Sequence, residues 1–437
     1  MENINANQLN KPLVDSKRGK FNLGIFLTGI MLVLMGLTGI MPSSLQGIAI
    51  LGVSALMLFT GEIYLVYPPM LFYGNRLGLF AGISVYRWFT LLFLAITLIK
   101  YRGIRTTAKQ ALVFLLFIIY CLVVIGPLNV RRGIFAVLDM GAILMLINCY
   151  LRQEDKLKKF FTVYVICAFV AYFSGTQMEG LQYNSMVSGQ YVEMVRNMAT
   201  FEDPNYMGYF YTGAIFATVG FKLFTPKLRV VIVIALYAIL LTSLSVTAIV
   251  VNGVLWIFYL GITNNLSIKA ILAIVLVAVL GLGLYQYGLD HPDDPVVGAL
   301  ALRIEEKLHE AESGDIGSAT SNRSDLAIWH LQYFWEQPVH KMLVGMNAAS
   351  VLHIDLNGYK MAAHNEYVDW LLNVGIIGAV IMLYYLISTL WNPLRSYRRD
   401  NLDQSSLGVV MVKLVFVLYA CTLTLYGDYR FMLFMLI

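Results

Sequence analysis

Apolar residues run through this chain in blocks close to the roughly 20 residues that cross a bilayer as one helix. The clearest are residues 21–40, 111–127, 206–221, 270–289 and 407–425. Lipid offers no hydrogen-bond partner, so the backbone of such a block must satisfy itself as helix. A membrane barrel would show short alternating strands instead, and the pattern has none. The expected fold is therefore all-α, a polytopic membrane protein with about 12 to 14 transmembrane helices.

Basic clusters between the blocks set the orientation, because cytoplasmic connections carry the excess of Lys and Arg. They are Lys17, Arg18 and Lys20; Lys100, Arg102, Arg105 and Lys109; Arg152 and Lys159; Lys227 and Arg229; and Arg395, Arg398 and Arg399. Parity then puts residues 128–133, 176–204 and 290–363 on the outer face. The chain divides into a cytoplasmic tail (1–20), an N-terminal transmembrane bundle (21–289), a large helical outer loop (290–363) and C-terminal transmembrane helices (364–437). The first apolar block lacks a small-residue cleavage pattern and reads as an anchor, not a removable signal. Residues 41–83 must hold two short crossings broken at Pro68 and Pro69. Residues 431–437 are too short to cross and are expected to end in the interface or at a truncation.

The outer loop is patterned as folded structure. Residues 299–312 read as an amphipathic helix, apolar at Leu302 and Leu308 and charged at Glu305, Glu306 and Glu310. Ser321 and Asn322 are placed to cap a second helix over 323–336, stopped by Pro338. Trp329, Tyr333 and Phe334 lie on its apolar side.

Composition agrees with a membrane protein. The chain is 59% hydrophobic and 13% charged, where soluble domains carry roughly 25% charge. Its net charge of +5 follows the positive-inside bias and gives no case for nucleic acid. Cys121, Cys149, Cys167 and Cys421 all sit in apolar blocks and read as small buried hydrophobes. All six histidines lie in or beside the outer loop, but no metal-binding spacing links them. No metal and no cofactor is expected.

Candidate chemistry gathers on the outer side. His364 stands where the chain re-enters the membrane, flanked by Asn365, Glu366, Tyr367 and Asp369. On one continuous helix, Gly375 and Gly378 would lie within roughly 40° of it, a stripe where a neighbouring helix approaches closely. An imidazole there can act as a base near neutral pH, or simply satisfy a helix end. Arg131 and Arg132 occupy a short outward loop against the charge trend, with Asp139 inside the next block. Arg132 and Asp139 form an ion pair on one reading. On the other, the arginines line a cationic pocket for an anionic headgroup, which Arg contacts bidentately. Arg196, shortly before Asp203-Pro204-Asn205, and Arg323 join that pocket if the loops converge, with Arg76 and Arg87 as weaker members. Lys413 is expected to snorkel to the inner surface.

Three stretches carry a resemblance. His364-Asn365, nine residues, then Gly375-Ile376-Ile377-Gly378 is one. Arg323, Trp329, Pro338 and Gly345 form the second, and Arg196 followed by Asp203-Pro204-Asn205 the third. Together, and in this order around one large outer loop, they resemble the O-antigen polymerase and ligase superfamily (Wzy-type polymerases and WaaL-type ligases). One departure is the turn Thr242-Ser243-Leu244-Ser245-Val246-Thr247, where many members carry Ser-Arg. The resemblance implies a GT-C-like glycosyltransferase of the bacterial cytoplasmic (inner) membrane, with a cytoplasmic N-terminus and an active site on the outer face. It implies an undecaprenyl-diphosphate-linked oligosaccharide as donor, surrounding membrane lipids, and room for a chain-length regulator as partner. In that scheme His364 is catalytic. Arg196, Arg323, Arg132 and Arg131 meet the diphosphate, and Asn205, Asn365, Glu366, Tyr367 and Asp369 complete the binding surface. Polymerisation of repeat units is the leading expectation. Ligation to lipid A-core is the alternative, and a lipid-linked glycan flippase the alternative of another class.

Overall fold

The computed structural model describes residues 42–60, 62–73, 79–80, 83–101, 106–120, 130–175, 181–187, 190–263, 268–346, 362–400, 404–423, 425 and 429–437. The block at 21–40, Arg76 and Cys121 lie outside the described residues. The first half contains α1 (Ser43–Thr60), α2 (Tyr67–Tyr73), β1 (Leu79–Phe80), β2 (Ile83–Ser84), α3 (Val85–Tyr101), α4 (Ala108–Tyr120), α5 (Val130–Met145), α6 (Glu154–Gly175), β3 (Leu181–Val187) and β4 (Gln190–Arg196). The second half continues with α7 (Pro204–Gly220), α8 (Pro226–Leu241), α9 (Val246–Thr263), α10 (Ile268–Asp290), α11 (Val297–Glu312), α12 (Ile316–Ala319), α13 (Arg323–Trp335), α14 (Val339–Val344), α15 (Glu366–Asp400), α16 (Gln404–Tyr419) and α17 (Tyr429–Leu436).

Helix dominates, consistent with the expected all-α class, and two short hairpins accompany it among the described residues. β1 pairs with β2, and β3 with β4, as two antiparallel hairpins. The second runs in register from Leu181 opposite Arg196 to Val187 opposite Gln190, so two residues connect its strands. Tyr183, Val187, Tyr191, Val192 and Val195 favour strand, and a two-residue connection suits a tight hairpin.

Three helices among the described residues are long and apolar enough to cross a membrane: Glu154–Gly175, Val246–Thr263 and Glu366–Arg398. The others of this character are shorter, including residues 63–73, which start at a 3-10 turn and carry Pro68 and Pro69 in the first helical turn. Large apolar side chains turn outward on α8 (Val231, Ile234), α9 (Val250, Ile257) and α15 (Val380, Ile387).

α7 is the axis of the packing. It is apolar on every side, the pattern of a helix surrounded by others, and all its residues from Met207 to Gly220 are buried. Small residues let its neighbours close in: Gly220 approaches the Gly408 backbone of α16, and Gly208 meets Ala248 of α9. Polar side chains inside this bundle satisfy one another. Trp256 donates to Tyr237 (2.6 Å), Tyr237 to Asn252 (2.9 Å) and Asn252 to Thr212 (2.7 Å), whose hydroxyl lies 3.1 Å from that of Tyr419.

Residues 431–437 do not stand apart from the bundle. They pack as α17 in the core, with Phe431 and Phe434 fully buried and Tyr209 donating to Phe431 O. Lys413 does not snorkel: it is buried, and its ammonium donates to Met435 O (2.6 Å) and the Thr389 hydroxyl (3.2 Å). Of the described cysteines, Cys167 is buried but Cys421, in the turn after α16, is exposed.

The described part of the expected outer loop, residues 290–346, folds as α11 to α14. α11 buries Gly298, Ala299, Ala301 and Arg303, leaving Leu308 exposed. The cap of α13 differs from expectation as well. Asn322 adopts left-handed backbone (φ 60°) without a side-chain capping bond, and Thr320 Oγ1 accepts the Ser324 N–H instead (3.2 Å).

Candidate functional site

The site is built around the turn between α8 and α9. Leu244 takes left-handed backbone there (φ 49°), and Ser245 Oγ caps α9 by accepting the Ala248 N–H (3.3 Å). Ala299 of α11 packs on the buried Leu244. Three distant segments then converge on the turn. Arg196, at the end of β4, donates through Nε to Ser243 O (3.0 Å), and the next residue's N–H donates to Thr242 O (3.1 Å). Arg323, the first residue of α13, donates to Thr247 Oγ1 (3.2 Å). Ser245 Oγ donates to Asn205 Oδ1 (2.8 Å).

Asp203 is the N-cap of α7, accepting the Asn205 N–H (2.6 Å) and its side-chain amide (2.8 Å). A carboxylate at a helix N-terminus suits both the open donors and the dipole. Asn205 is thus held between Asp203 and Ser245, and it fixes the start of α7 against the turn.

His364 precedes α15 with left-handed backbone (φ 49°) and is half-buried. Burial holds its imidazole below the ordinary value; the Arg323 charge and His330 add to this, and Asp203 opposes them. At neutral pH the ring is therefore uncharged, the form that accepts a proton. Burial also presses the Arg323 guanidinium downward, against Asp203, while Arg303 adds its repulsion. An arginine nonetheless stays charged. His364, Arg323, Asp203, Arg303 and His330 thus share one electrostatic neighbourhood.

The residues after His364 hold the backbone in place. Asn365 caps α15, accepting the Tyr367 and Val368 N–H groups (3.1 and 3.2 Å) and donating to Cys421 O (3.2 Å). Glu366 is fully buried; one oxygen accepts Trp370 Nε1–H (2.7 Å) and the other the Leu425 N–H (2.5 Å). Tyr367 donates to Val417 O (2.9 Å), and Asp369 is buried. These contacts tie α15 to the end of α16 and aim His364.

A single helical stripe through His364, Gly375 and Gly378 is not what forms. His364 stands outside the helix, and Gly375 breaks α15 with φ 66°, ψ −176°. The close approach expected at Gly375 does occur, to Gly345.

Arg131 and Arg132 lie in the first turn of α5, not in a loop, and α5 packs chiefly on α3 and α17. Asp139 pairs with Arg87 (3.2 Å), which also lies over the Phe135 ring, and the Arg132 side chain lies outside what is described. Sequence reasoning missed Asp203, Ser245, Thr247, His330 and Arg303 as members of this neighbourhood. Arg303 sits on the helix read as amphipathic from Leu302, Leu308 and its glutamates, a reading that gave it no role. The turn was noted for the arginine it lacks, yet it receives two from elsewhere.

Neither the protein-family models nor the curated proteins contain a match to this chain.

Proposed function

We propose that this chain is a GT-C-like polytopic glycosyltransferase of the bacterial cytoplasmic membrane. It joins undecaprenyl-diphosphate-linked repeat units into a surface polysaccharide on the outer face, by inverting, metal-independent transfer. The observation that carries this reading is the convergence of Arg196 on the turn between α8 and α9 and of Arg323 on the first turn of α9 that follows it, with an uncharged His364 in electrostatic reach of Arg323. That combination offers a base beside a cationic pocket, at the end of helices apolar enough to cross a membrane.

In the proposed step the acceptor hydroxyl oxygen bonds to the donor's anomeric carbon. The carbon–oxygen bond to the diphosphate breaks, and its electron pair leaves with the diphosphate. The hydroxyl proton passes to a ring nitrogen of His364. Arg323 and Arg196 stabilise the charge that grows on the leaving group, the largest share of most such rate enhancements. Asn205 and Asp203 keep the turn and α7 in register, and Asn365 and Glu366 keep His364 in place.

The test is reconstitution of purified protein with a lipid-diphosphate repeat unit as sole substrate, with and without excess chelator. A ladder of longer lipid-linked glycans in both supports the reading. Transfer only when lipid A-core is supplied makes the same site a ligase. Strict dependence on a divalent ion contradicts the metal-independent step. A flippase would be favoured by the charge buried at Lys413, and it would move the lipid without lengthening the glycan.

A further inference from the structure

The outer helices end against a membrane-spanning one. Gly345, just past α14, and Gly375 of α15 meet backbone to backbone, with φ 102° and 66°. A β-carbon on Gly375 would overlap Leu343 O, and one on Gly345 would overlap Asn373 O. Met346 N–H donates to Leu372 O (2.7 Å) alongside. Roughly 20 residues, one hydrocarbon thickness, counted back from Arg395 reach Gly375. α14 therefore docks at the depth of the outer hydrocarbon boundary.

At that depth its apolar side chains face outward. No residue of α14 is buried. Val339 is 65% exposed, Val344 70%, and Trp335 at the end of α13 64%. Ile377 and Val380, directly past Gly375 on the lipid-facing side of α15, are 53% and 58% exposed. At about 100° per residue, Val339 and Leu343 share one side of α14, Val344 lies between them and Lys341, and Met342 turns inward onto the cluster around Phe334 and Leu372. Exposed aliphatic side chains beside a lysine on one short helix suit a membrane interface, and Trp favours the same level. Water would not be left with so continuous an apolar surface.

We propose that α14 and Trp335 lie in the acyl-chain boundary of the outer leaflet, with Lys341 among anionic headgroups. The inference rests on the reading of Glu366–Arg398 as a membrane span. It gives α13 a second task. This helix of 13 residues runs about 20 Å, from Arg323 on the turn to Trp335 in the lipid, so an anionic substrate anchored in the leaflet meets the site within one helix length.

The experiment uses the full protein in vesicles of phosphatidylethanolamine and phosphatidylglycerol carrying doxyl-labelled phosphatidylcholine. The Trp335 emission is the difference between the unaltered protein and Trp335→Phe; Trp391 of α15, isolated by Trp391→Phe, reports the span itself. A shallow acyl label should quench Trp335 about two-fold or more beyond aqueous iodide, as for an interfacial helix. Lipid quenching of Trp391 with only iodide quenching of Trp335 overturns the proposal while leaving the span intact. Protection of Trp335 from both quenchers means a protein partner or second copy covers it, and overturns it too. Escape of Trp391 from the lipid label removes the span and the proposal together.

Discussion

Glu366 separates a binding role from a structural one. Both its oxygens accept backbone or indole N–H groups inside the protein, at 2.7 Å from Trp370 and 2.5 Å from Leu425. Glu366→Ala leaves two buried donors without an acceptor, at about 1–3 kcal/mol each, so the loss should be ~2–6 kcal/mol. Against a total folding stability of about 5–15 kcal/mol, that is a severe lesion. Glu366→Gln keeps one acceptor oxygen but turns an amide N–H toward the other donor, so it should lose ~1–3 kcal/mol. The assay is unfolding of detergent-purified protein followed by tryptophan fluorescence, with glycan transfer measured per folded molecule. The account predicts stability in the order Glu, Gln, Ala, with transfer by the folded fraction of Glu366→Gln largely retained. Unchanged unfolding of Glu366→Ala together with lost transfer would refute it and make Glu366 a substrate ligand.

Proton acceptance requires a neutral His364, and its pKa is lowered by burial and then by the Arg323 charge. Transfer should therefore persist through neutral pH and fall only below the ordinary imidazole value of about 6.5. Arg323→Gln removes a repelling cation, so the acid limb of kcat/KM should move to higher pH; an unmoved limb in this variant contradicts the coupling. Gly375→Ala places a side chain in a backbone region that costs about 1–3 kcal/mol, besides its overlap with Leu343 O. Its melting temperature should fall, while Gly283→Ala, with nothing within 4 Å of its β-carbon, should not destabilise. Arg87→Met strips the partner from a buried carboxylate at Asp139 and should cost about 3–5 kcal/mol. Adding Asp139→Asn should recover most of that, and failure to recover would show that the pair is not the source of the loss.

Much of the helical scaffold was legible because long apolar blocks declare helices, although only three described helices reach the length of a membrane crossing. The helix expected over 323–336 forms as Arg323–Trp335, and the block at 206–221 becomes the buried axis α7. What failed was what pairing alone decides. Arg132 is nearer in sequence to Asp139, but the fold brings Arg87. Lys413 reads as a snorkelling lysine until α17 supplies Met435 O beside it. Gly375 sits in a largely apolar run, and Asn373 and the glycine alone do not mark a break; the reason for it, Gly345, lies about thirty residues earlier, past α14. The hairpin of residues 181–196 was overlooked because the outer segment was read for charge rather than for alternation. In the site, Arg196 from β4 and Arg323 from α13 both bond to the stretch 243–247, while Arg303 and Asp203 needed the packing of α11 and α7 to be noticed.

The most direct test of the account compares unaltered protein and His364→Ala, reconstituted side by side with a lipid-diphosphate repeat unit. The two should elute alike from size exclusion and melt alike. The account predicts a glycan ladder from the first and none from the second. A ladder of equal length and yield from His364→Ala would contradict the claim that this histidine takes the proton.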